Sequence, residues 1–205
     1  MPKLDLKKQF KALYQPPASH PVLVDVPELQ FLMLDGEGDP STSPLFQEAI
    51  NALYTASYTL KFMLKKRGGF PDYTVMLPEA LWWADDMQAF PAADRSAWKW
   101  TAMIAQPDFI TPDLLAEAVT EARKRKDLPA LGLLRLEALR EGPSAQVMHI
   151  GAYSGEGPTV ANLHAFIVDQ GLRPRGKHHE IYCSDPRRAA PDKLKTVIRQ
   201  PVEKA

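Results

Sequence analysis

The sequence has little that would direct the protein to a charged partner or to an oxidising compartment. Its 205 residues contain 25 Lys and Arg against 25 Asp and Glu, so the formal net charge is zero. This balance gives no basic surface of the kind that attracts nucleic acid or an anionic membrane. The single cysteine, Cys183, excludes an intramolecular disulfide and is typical of a reducing compartment.

Long apolar runs are also missing from the sequence. No segment reaches the roughly 18 consecutive apolar residues that a membrane-spanning helix needs. The first residues, Met1 to Asp5, lack the apolar segment of a signal peptide. We therefore expect a cytoplasmic protein with no membrane and no nucleic-acid partner. A chain of this length favours one domain, or two half-sized modules that share a core.

Hydrophobic spacing and turn signals predict an α+β chain. Helices are predicted over 5–14, from Pro44 toward Gly68, from Thr111 to Ala122 and over 158–170. Strands are predicted over 31–34, 73–77, 98–104, 146–150, 178–183 and 194–199, with a turn over 35–39. The segment 131–139 fits either a strand or an extension of the preceding helix.

The order of these elements repeats along the chain. Gly36-Glu37-Gly38 recurs as Gly155-Glu156-Gly157 before a helix in each half, and the segment 101–107 resembles 195–201. We interpret the chain as a single domain with an internal repeat over roughly 28–108 and 128–205. Two such modules commonly pair about a pseudo-two-fold axis, which leaves a cleft where a small molecule can bind.

The segment 178–183 (HHEIYC) contains the polar residues most suited to a functional site. Alternation along a strand places His178, Glu180 and Tyr182 on one face and the intervening residues with Cys183 on the other. The second face can pack against a helix, which predicts that Cys183 is an inert buried thiol. The first face is either the solvated side of an antiparallel sheet or part of a cavity.

Large aromatic side chains favour the cavity, although each ring by itself could simply fill the core. The residues concerned are Tyr54 and Tyr58 on one predicted helix, Trp82 and Trp83 beside Glu79, and Trp98 and Trp100 on a neighbouring predicted strand. Desolvation by aromatic walls would raise the pKa of a carboxyl group among them. Glu180 could then serve as a general base, or pair with a cationic ligand.

A metal site is an alternative that the spacing does not favour. His178 and Glu180 with His149 or His164 do not have the spacing of a known zinc motif. The glycine-rich segment 151–157 has neither the Walker A lysine nor the Rossmann spacing. We therefore predict no metal and no cofactor.

Taken together, these residues resemble the stand-alone GyrI-like proteins, which are built from a duplicated SHS2 module. The segments that carry the resemblance are Asp5–Lys8, Leu32–Pro40, Leu77–Trp83, His149–Tyr153, Lys177–Arg188 and Lys193–Pro201, spread over nearly the whole chain. The resemblance implies two β-α-β-β modules related by a pseudo-two-fold axis, with a central ligand pocket. It also implies that Glu180 lies in the pocket floor, between aromatic walls that include Trp82, Trp83 and Tyr153.

Proteins similar to this chain include multidrug-binding domains of transcription regulators, whose helix-turn-helix region this sequence lacks. Other stand-alone members hydrolyse cyclopropanoid genotoxins of the yatakemycin and duocarmycin kind by opening the strained ring with water. The resemblance implies that Glu180 orients or deprotonates the water and that Tyr182 donates to the developing oxyanion. The expected ligand-binding residues are Trp82, Trp83, Trp100, Tyr54, Tyr153, Glu79 and His178.

Three interpretations of function stay open at this point. The first is a detoxifying enzyme that hydrolyses cyclopropanoid compounds, and the second is non-catalytic binding of cationic aromatic drugs. The third, indicated only by the family name, is interaction with a protein such as gyrase. The expected partner is a small aromatic or electrophilic organic molecule, bound by a monomer.

Overall fold

The computed structural model describes residues 3–85 and 95–205. The helices are α1 (Leu6–Gln9), α2 (Lys11–Tyr14), α3 (Pro44–Arg67), α4 (Pro112–Arg123) and α5 (Gly157–Asp169). The strands are β1 (Val22–Glu37), β2 (Pro78–Trp83), β3 (Lys99–Gln106), β4 (Arg135–Ile150), β5 (Leu172–Pro174), β6 (His178–Tyr182) and β7 (Lys195–Lys204). The predicted α+β class is confirmed. None of the described helices has the length and apolar character that crossing a bilayer needs.

The chain forms two compact units. The first unit comprises the described residues of 1–9, 29–78 and 83–139, and the second comprises 10–28, 79–82 and 140–205. Each unit contains a long helix that follows a long strand, α3 after β1 in the first and α5 after β4 in the second.

In the first unit, α3 packs against β3, which pairs with β1 in antiparallel register. Leu32 and Leu34 of β1 lie opposite Ile104 and Ala102 of β3, and all four side chains are buried. The helix begins at Pro44, where a missing N–H costs nothing, and ends before Gly68. Gly68 has a φ of 75°, in the left-handed region that favours glycine at a helix end.

A close approach between β1 and β3 explains one glycine of the first unit. Gly36 lies directly opposite Trp100, which is fully buried and contacts Phe46 edge-on. A Cβ at position 36 would lie 2.2 Å from the Trp100 ring. The glycine-rich segment predicted as a turn is therefore strand as far as Glu37, because its backbone pairs with β3.

In the second unit, segments of β2, β6, β7 and β4 form an antiparallel ladder in that order. Glu180 of β6 lies opposite Ile198 of β7, which in turn lies opposite Val147 of β4. Directly opposed residues share a face, so these three residues point to the same side. Leu163 and Ile167 of α5 pack with Val147 and Ile198 in one apolar cluster. The long helix therefore covers the face that carries Glu180, rather than the face of His179 that was expected to meet a helix.

Three predicted elements differ from the structure. The helix predicted over 5–14 is split into α1 and α2, because Phe10 has non-helical angles of φ −107° and ψ 47°. In the predicted strand 73–77, Tyr73 forms only an isolated bridge to Leu4, whereas the following segment 79–82 finds partners along β6. The ambiguous segment 131–139 divides between a 3₁₀ turn at Pro129–Leu133 and the start of β4.

Candidate functional site

Glu180 lies at the centre of a polar group on the α5 side of β6. Its Oε1 atom is 3.3 Å from His178 Nε2, and its Oε2 atom accepts a hydrogen bond of 2.9 Å from the Tyr182 hydroxyl. Trp82, which β2 places opposite His178, donates from Nε1 to the same hydroxyl at 3.2 Å. The predicted alternation of His178, Glu180 and Tyr182 is therefore confirmed, and β2 adds Trp82 to them.

This group is mostly shielded from solvent. The His178 side chain is 5% exposed and the Glu180 side chain is 14% exposed, which excludes the interpretation as a solvated outer face. Tyr153 contacts Tyr182 edge-on, with ring centroids 5.7 Å apart, and is itself 38% exposed. The carboxylate thus keeps limited access, next to aromatic rings from β6 and from the segment before α5.

The ionisation of Glu180 differs from the expectation. Burial raises its pKa, but the hydrogen bond and charge of His178, the hydrogen bond from Tyr182 and the charge of His179 outweigh burial, so the pKa is lowered. Desolvation by itself would have raised this pKa, as expected from the aromatic residues in the sequence. His178 and Tyr182 occupy two of the about four acceptor positions of a carboxylate. An ionised Glu180 therefore keeps acceptor positions for a water molecule or a cation.

Both tyrosines beside Glu180 stay neutral at physiological pH. Burial and the charge of Glu180 raise the pKa of Tyr182 well above its ordinary value. Burial, with Glu156 and Glu180 adding to it, raises the pKa of Tyr153 to about 12. Tyr182 can therefore act as a hydrogen-bond donor, and its phenolate is not available as a base.

The opposite face of β6 carries a second, fully buried polar group around His179. Its Nδ1 atom lies 3.0 Å from both carboxylate oxygens of Glu141, and its Nε2 atom lies 3.0 Å from Glu79 Oε2. Glu79 also accepts a hydrogen bond of 3.2 Å from the Tyr14 hydroxyl. Arg199 donates to Glu141 at 3.0 Å. We call these five residues the His179 cluster.

Within the His179 cluster, the pKa values of His179 and Glu141 are strongly shifted. Burial lowers the pKa of His179, but the charge and hydrogen bonds of Glu141 and the hydrogen bond of Glu79 outweigh burial and raise it to about 9. Burial raises the pKa of Glu141, but His179 and Arg199 outweigh burial and lower it to about 2. The cluster therefore holds buried charges of both signs at neutral pH.

The His179 cluster has no signal in the amino-acid sequence. Alternation indicated only that His179 points away from Glu180, and nothing in the sequence links it to Tyr14, Glu141 or Arg199. Glu79 was predicted to bind ligand beside the tryptophans, but the structure places it on the His179 side of the ladder, 1% exposed. The partners come from α2, β2, β4 and β7, so only the register of the strands brings them together.

The other predicted site residues lie elsewhere. Trp83 belongs to the first unit and, by alternation along β2, lies on the opposite face from Trp82. Trp100 is part of the first unit's core. Tyr54 stacks on Tyr58 with centroids 6.2 Å apart, in a groove of about 940 Å³ beside α3 and α4. Cys183 is half-buried, with Sγ 3.9 Å from the Tyr14 carbonyl oxygen.

The second unit also contains a small opening of about 340 Å³, lined by residues that include His149 and Thr159. His149 Nδ1 is 2.9 Å from the Thr159 hydroxyl. Glu180 does not line this opening or the groove beside α3, so the aromatic cavity around Glu180 stays a prediction. Among residues 3–85 and 95–205, no three His, Cys, Asp or Glu side chains group as metal ligands would.

Known proteins resemble this chain along almost its whole length. Residues 20–203 match the GyrI-like small molecule binding domain. An uncharacterized conserved protein from Listeria innocua is 42% identical, over 98% of this chain and 100% of that one, with a TM-score of 0.90. A hydrolase from Listeria innocua is 40% identical over the same shares, with a TM-score of 0.86. The C-terminal domain of EcmrR is 14% identical over 91% of this chain and 98% of that one, with a TM-score of 0.56, and shares the fold alone. No curated protein matches the sequence.

Proposed function

The chain belongs to the GyrI-like small-molecule-binding family, and we propose that it hydrolyses electrophilic cyclopropanoid compounds by opening the strained ring with water. The observation that carries this proposal is the position of the Glu180 carboxylate, held between His178 and Tyr182 with 14% of its side chain exposed. A carboxylate in this state can accept a proton from water. The 40% identity to a hydrolase over nearly the whole chain supports the reaction class.

In the proposed reaction, Glu180 accepts a proton from a water molecule while the water oxygen attacks the ring methylene carbon. The C–C bond between that carbon and the ring carbon conjugated to the substrate carbonyl breaks, while the other ring bond of the methylene carbon stays intact. Its electron pair moves through the conjugated system to the carbonyl oxygen, which becomes a phenolate. Protonated Glu180 returns the proton to that oxygen directly or through solvent, so the product equals the substrate plus one water.

Tyr182 would support the negative charge that develops on the substrate oxygen. In the resting site its hydroxyl donates to Glu180, and Trp82 donates to the hydroxyl oxygen. Once Glu180 takes a proton it becomes a weaker acceptor, because hydrogen bonds to ionised groups are about twice as strong as neutral ones. The Tyr182 proton is then free to turn toward the oxyanion. Tyr153 and Trp82 would hold the flat substrate by stacking.

Incubation of the purified protein with a duocarmycin-type compound tests the proposal directly. We expect mass spectrometry to detect a product one water heavier than the substrate, and Glu180→Gln to slow its formation by about 10²- to 10⁴-fold. Glu28→Gln, an exposed carboxyl change on β1, is the matched control and should leave the rate unchanged. Accumulation of bound, unchanged compound with wild-type protein would rule out hydrolysis of that substrate.

A second candidate function is binding of cationic aromatic compounds without reaction. It is favoured by the lowered pKa of Glu180, because an ionised, partly buried carboxylate near ring faces attracts an organic cation. Fluorescence titration with a rhodamine-type cation should then show weaker binding by Glu180→Gln, with binding of a neutral analogue unchanged. An equal loss of affinity for the cation and for its neutral analogue would show that Glu180 is not the counter-ion.

A further inference from the structure

The His179 cluster has no part in the reaction proposed above, although His179 is the chain neighbour of Glu180. Its imidazole faces carboxylate oxygens through both ring nitrogens, Glu141 at Nδ1 and Glu79 at Nε2, each at 3.0 Å. A neutral imidazole can donate from only one nitrogen, whereas the imidazolium donates from both. Two acceptors on opposite sides of the ring therefore select the charged form of His179.

The charged groups around His179 come from every element that packs against it. They are Glu79 of β2, Glu141 of β4 and Arg199 of β7, with the Tyr14 hydroxyl of α2 bound to Glu79. The side chains of His179, Glu79, Glu141 and Arg199 are each at most 5% exposed. Buried charges are costly to desolvate and persist only where they are paired and hydrogen-bonded. The hydrogen bonds among these four buried side chains therefore fix both where each charge lies and which sign it has.

Glu180 faces a different set of titratable groups. His178 and Tyr182 contact it from β6, and Trp82 of β2 acts through the Tyr182 hydroxyl. Glu156, near the start of α5, interacts electrostatically with Tyr153 and Tyr182, and Glu180 interacts with the same two tyrosines. His164 of α5 interacts with His178. His179 differs from all of these because it acts from the reverse side of the strand and cannot touch a ligand bound on the Glu180 face.

We infer that His179 is a positioning residue for Glu180, a fixed cation behind β6 that anchors this strand and keeps the neighbouring carboxylate ionised. The inference rests on the proposed role of Glu180 as the functional carboxylate. Two contacts hold the strand in place, from His179 to Glu79 of β2 and to Glu141 of β4, and Arg199 of β7 in turn holds Glu141. The charge of His179 also favours the ionised form of Glu180, by less than the contacts of His178 and Tyr182 do.

The first test uses the wild-type protein without substrate. Histidine ring nitrogens are followed by ¹⁵N NMR between about pH 6 and 8, a range in which an ordinary histidine with a pKa of about 6.5 loses its charge. We expect His179 to show two protonated ring nitrogens throughout this range. A single protonated nitrogen at neutral pH would overturn the inference, whether or not any variant folds.

The second test compares a neutral and a cationic replacement. The Glu180 carboxyl signal is assigned with Glu180→Gln and titrated by ¹³C NMR in wild type, His179→Gln and His179→Lys. We expect the Glu180 titration to move to higher pH in His179→Gln and to stay near the wild-type position in His179→Lys. Equal movement in both variants would show that His179 supports the fold only, and no movement would show that its charge does not reach Glu180. Neither titration needs a substrate, so a failure of the proposed hydrolysis would be seen separately.

Discussion

His179 and Glu180 are consecutive residues that point to opposite faces of β6 and enter separate hydrogen-bond networks. Glu180 lies beside Tyr182 and His178 on the face that α5 covers, whereas His179 lies between Glu79 and Glu141 on the other. One strand thus links a partly exposed carboxylate to a fully buried ion cluster.

Tyr182→Phe should alter both the ionisation of Glu180 and the rate of hydrolysis. The Tyr182 hydroxyl helps to lower the pKa of Glu180, so its removal should raise that pKa. The acid limb of the kcat/KM profile should then move to higher pH. The rate on the plateau should fall by about 10²-fold if the hydroxyl also donates to the oxyanion. Tyr58→Phe on the exposed side of α3 is the control, and a profile unchanged by Tyr182→Phe would contradict the proposed role.

Trp82→Phe keeps an aromatic ring but removes the Nε1 donor to the Tyr182 hydroxyl. The loss of one hydrogen bond of this kind costs about 1 kcal/mol, which corresponds to a fall in rate of about fivefold. We therefore expect a smaller effect on kcat/KM than that of Tyr182→Phe. A larger fall in kcat/KM would indicate that the indole itself contacts the substrate. In that case, kinetics at a series of substrate concentrations should show a raised KM for the variant.

The free energy of unfolding should depend on pH through the His179 cluster. His179 has a folded pKa of about 9, above its ordinary 6.5, so its contribution is complete below pH 6.5 and is lost as the pH rises through 9. Glu141 has a folded pKa of about 2, below its ordinary 4.5, so its contribution is present above pH 4.5 and is lost as the pH falls through 2. Each loss should amount to about 3 kcal/mol.

Urea unfolding at a series of pH values measures this dependence. We expect the greatest stability between pH 4.5 and 6.5, where both contributions are complete. In His179→Gln the decline between pH 6.5 and 9 should disappear, while the overall stability falls because Glu79 and Glu141 lose their partner. A wild-type stability that stays constant up to pH 9 would contradict the charged state of His179.

Gly36→Ala should destabilise the first unit by about 1–3 kcal/mol, the range that is typical of overpacking. The added methyl group would lie 2.2 Å from the buried Trp100 ring, which cannot move without disturbing Phe46. Urea unfolding of Gly155→Ala provides the control, because a Cβ there meets nothing within 4 Å. Adding Trp100→Phe to Gly36→Ala should recover part of the loss; a further loss would mean that the clash is not with Trp100.

Sequence patterns were sufficient to predict features that depend on a single helix, such as the residues at which it begins and ends. Pro44 and Gly68 bound α3 as predicted, because helix ends depend on backbone groups that nearby residues satisfy. The segment 73–77 has the composition of a strand but forms only one bridge, while the strand begins at Pro78. A strand requires a partner, and the partner of β2 lies about one hundred residues further along the chain.

The sequence by itself determined that Glu180 shares a face with His178 and Tyr182, because alternation along a strand is a property of the backbone alone. It also contained the family resemblance, which the match over residues 20–203 confirmed. Only the tertiary structure decided the ionisation of Glu180 and the partners of His179. The ionisation of Glu180 depends on its burial and on side-chain contacts with His178 and Tyr182, which alternation along the strand does not specify. The partners of His179 lie on β2 and β4, and strand register across long sequence separations is not encoded in any local pattern.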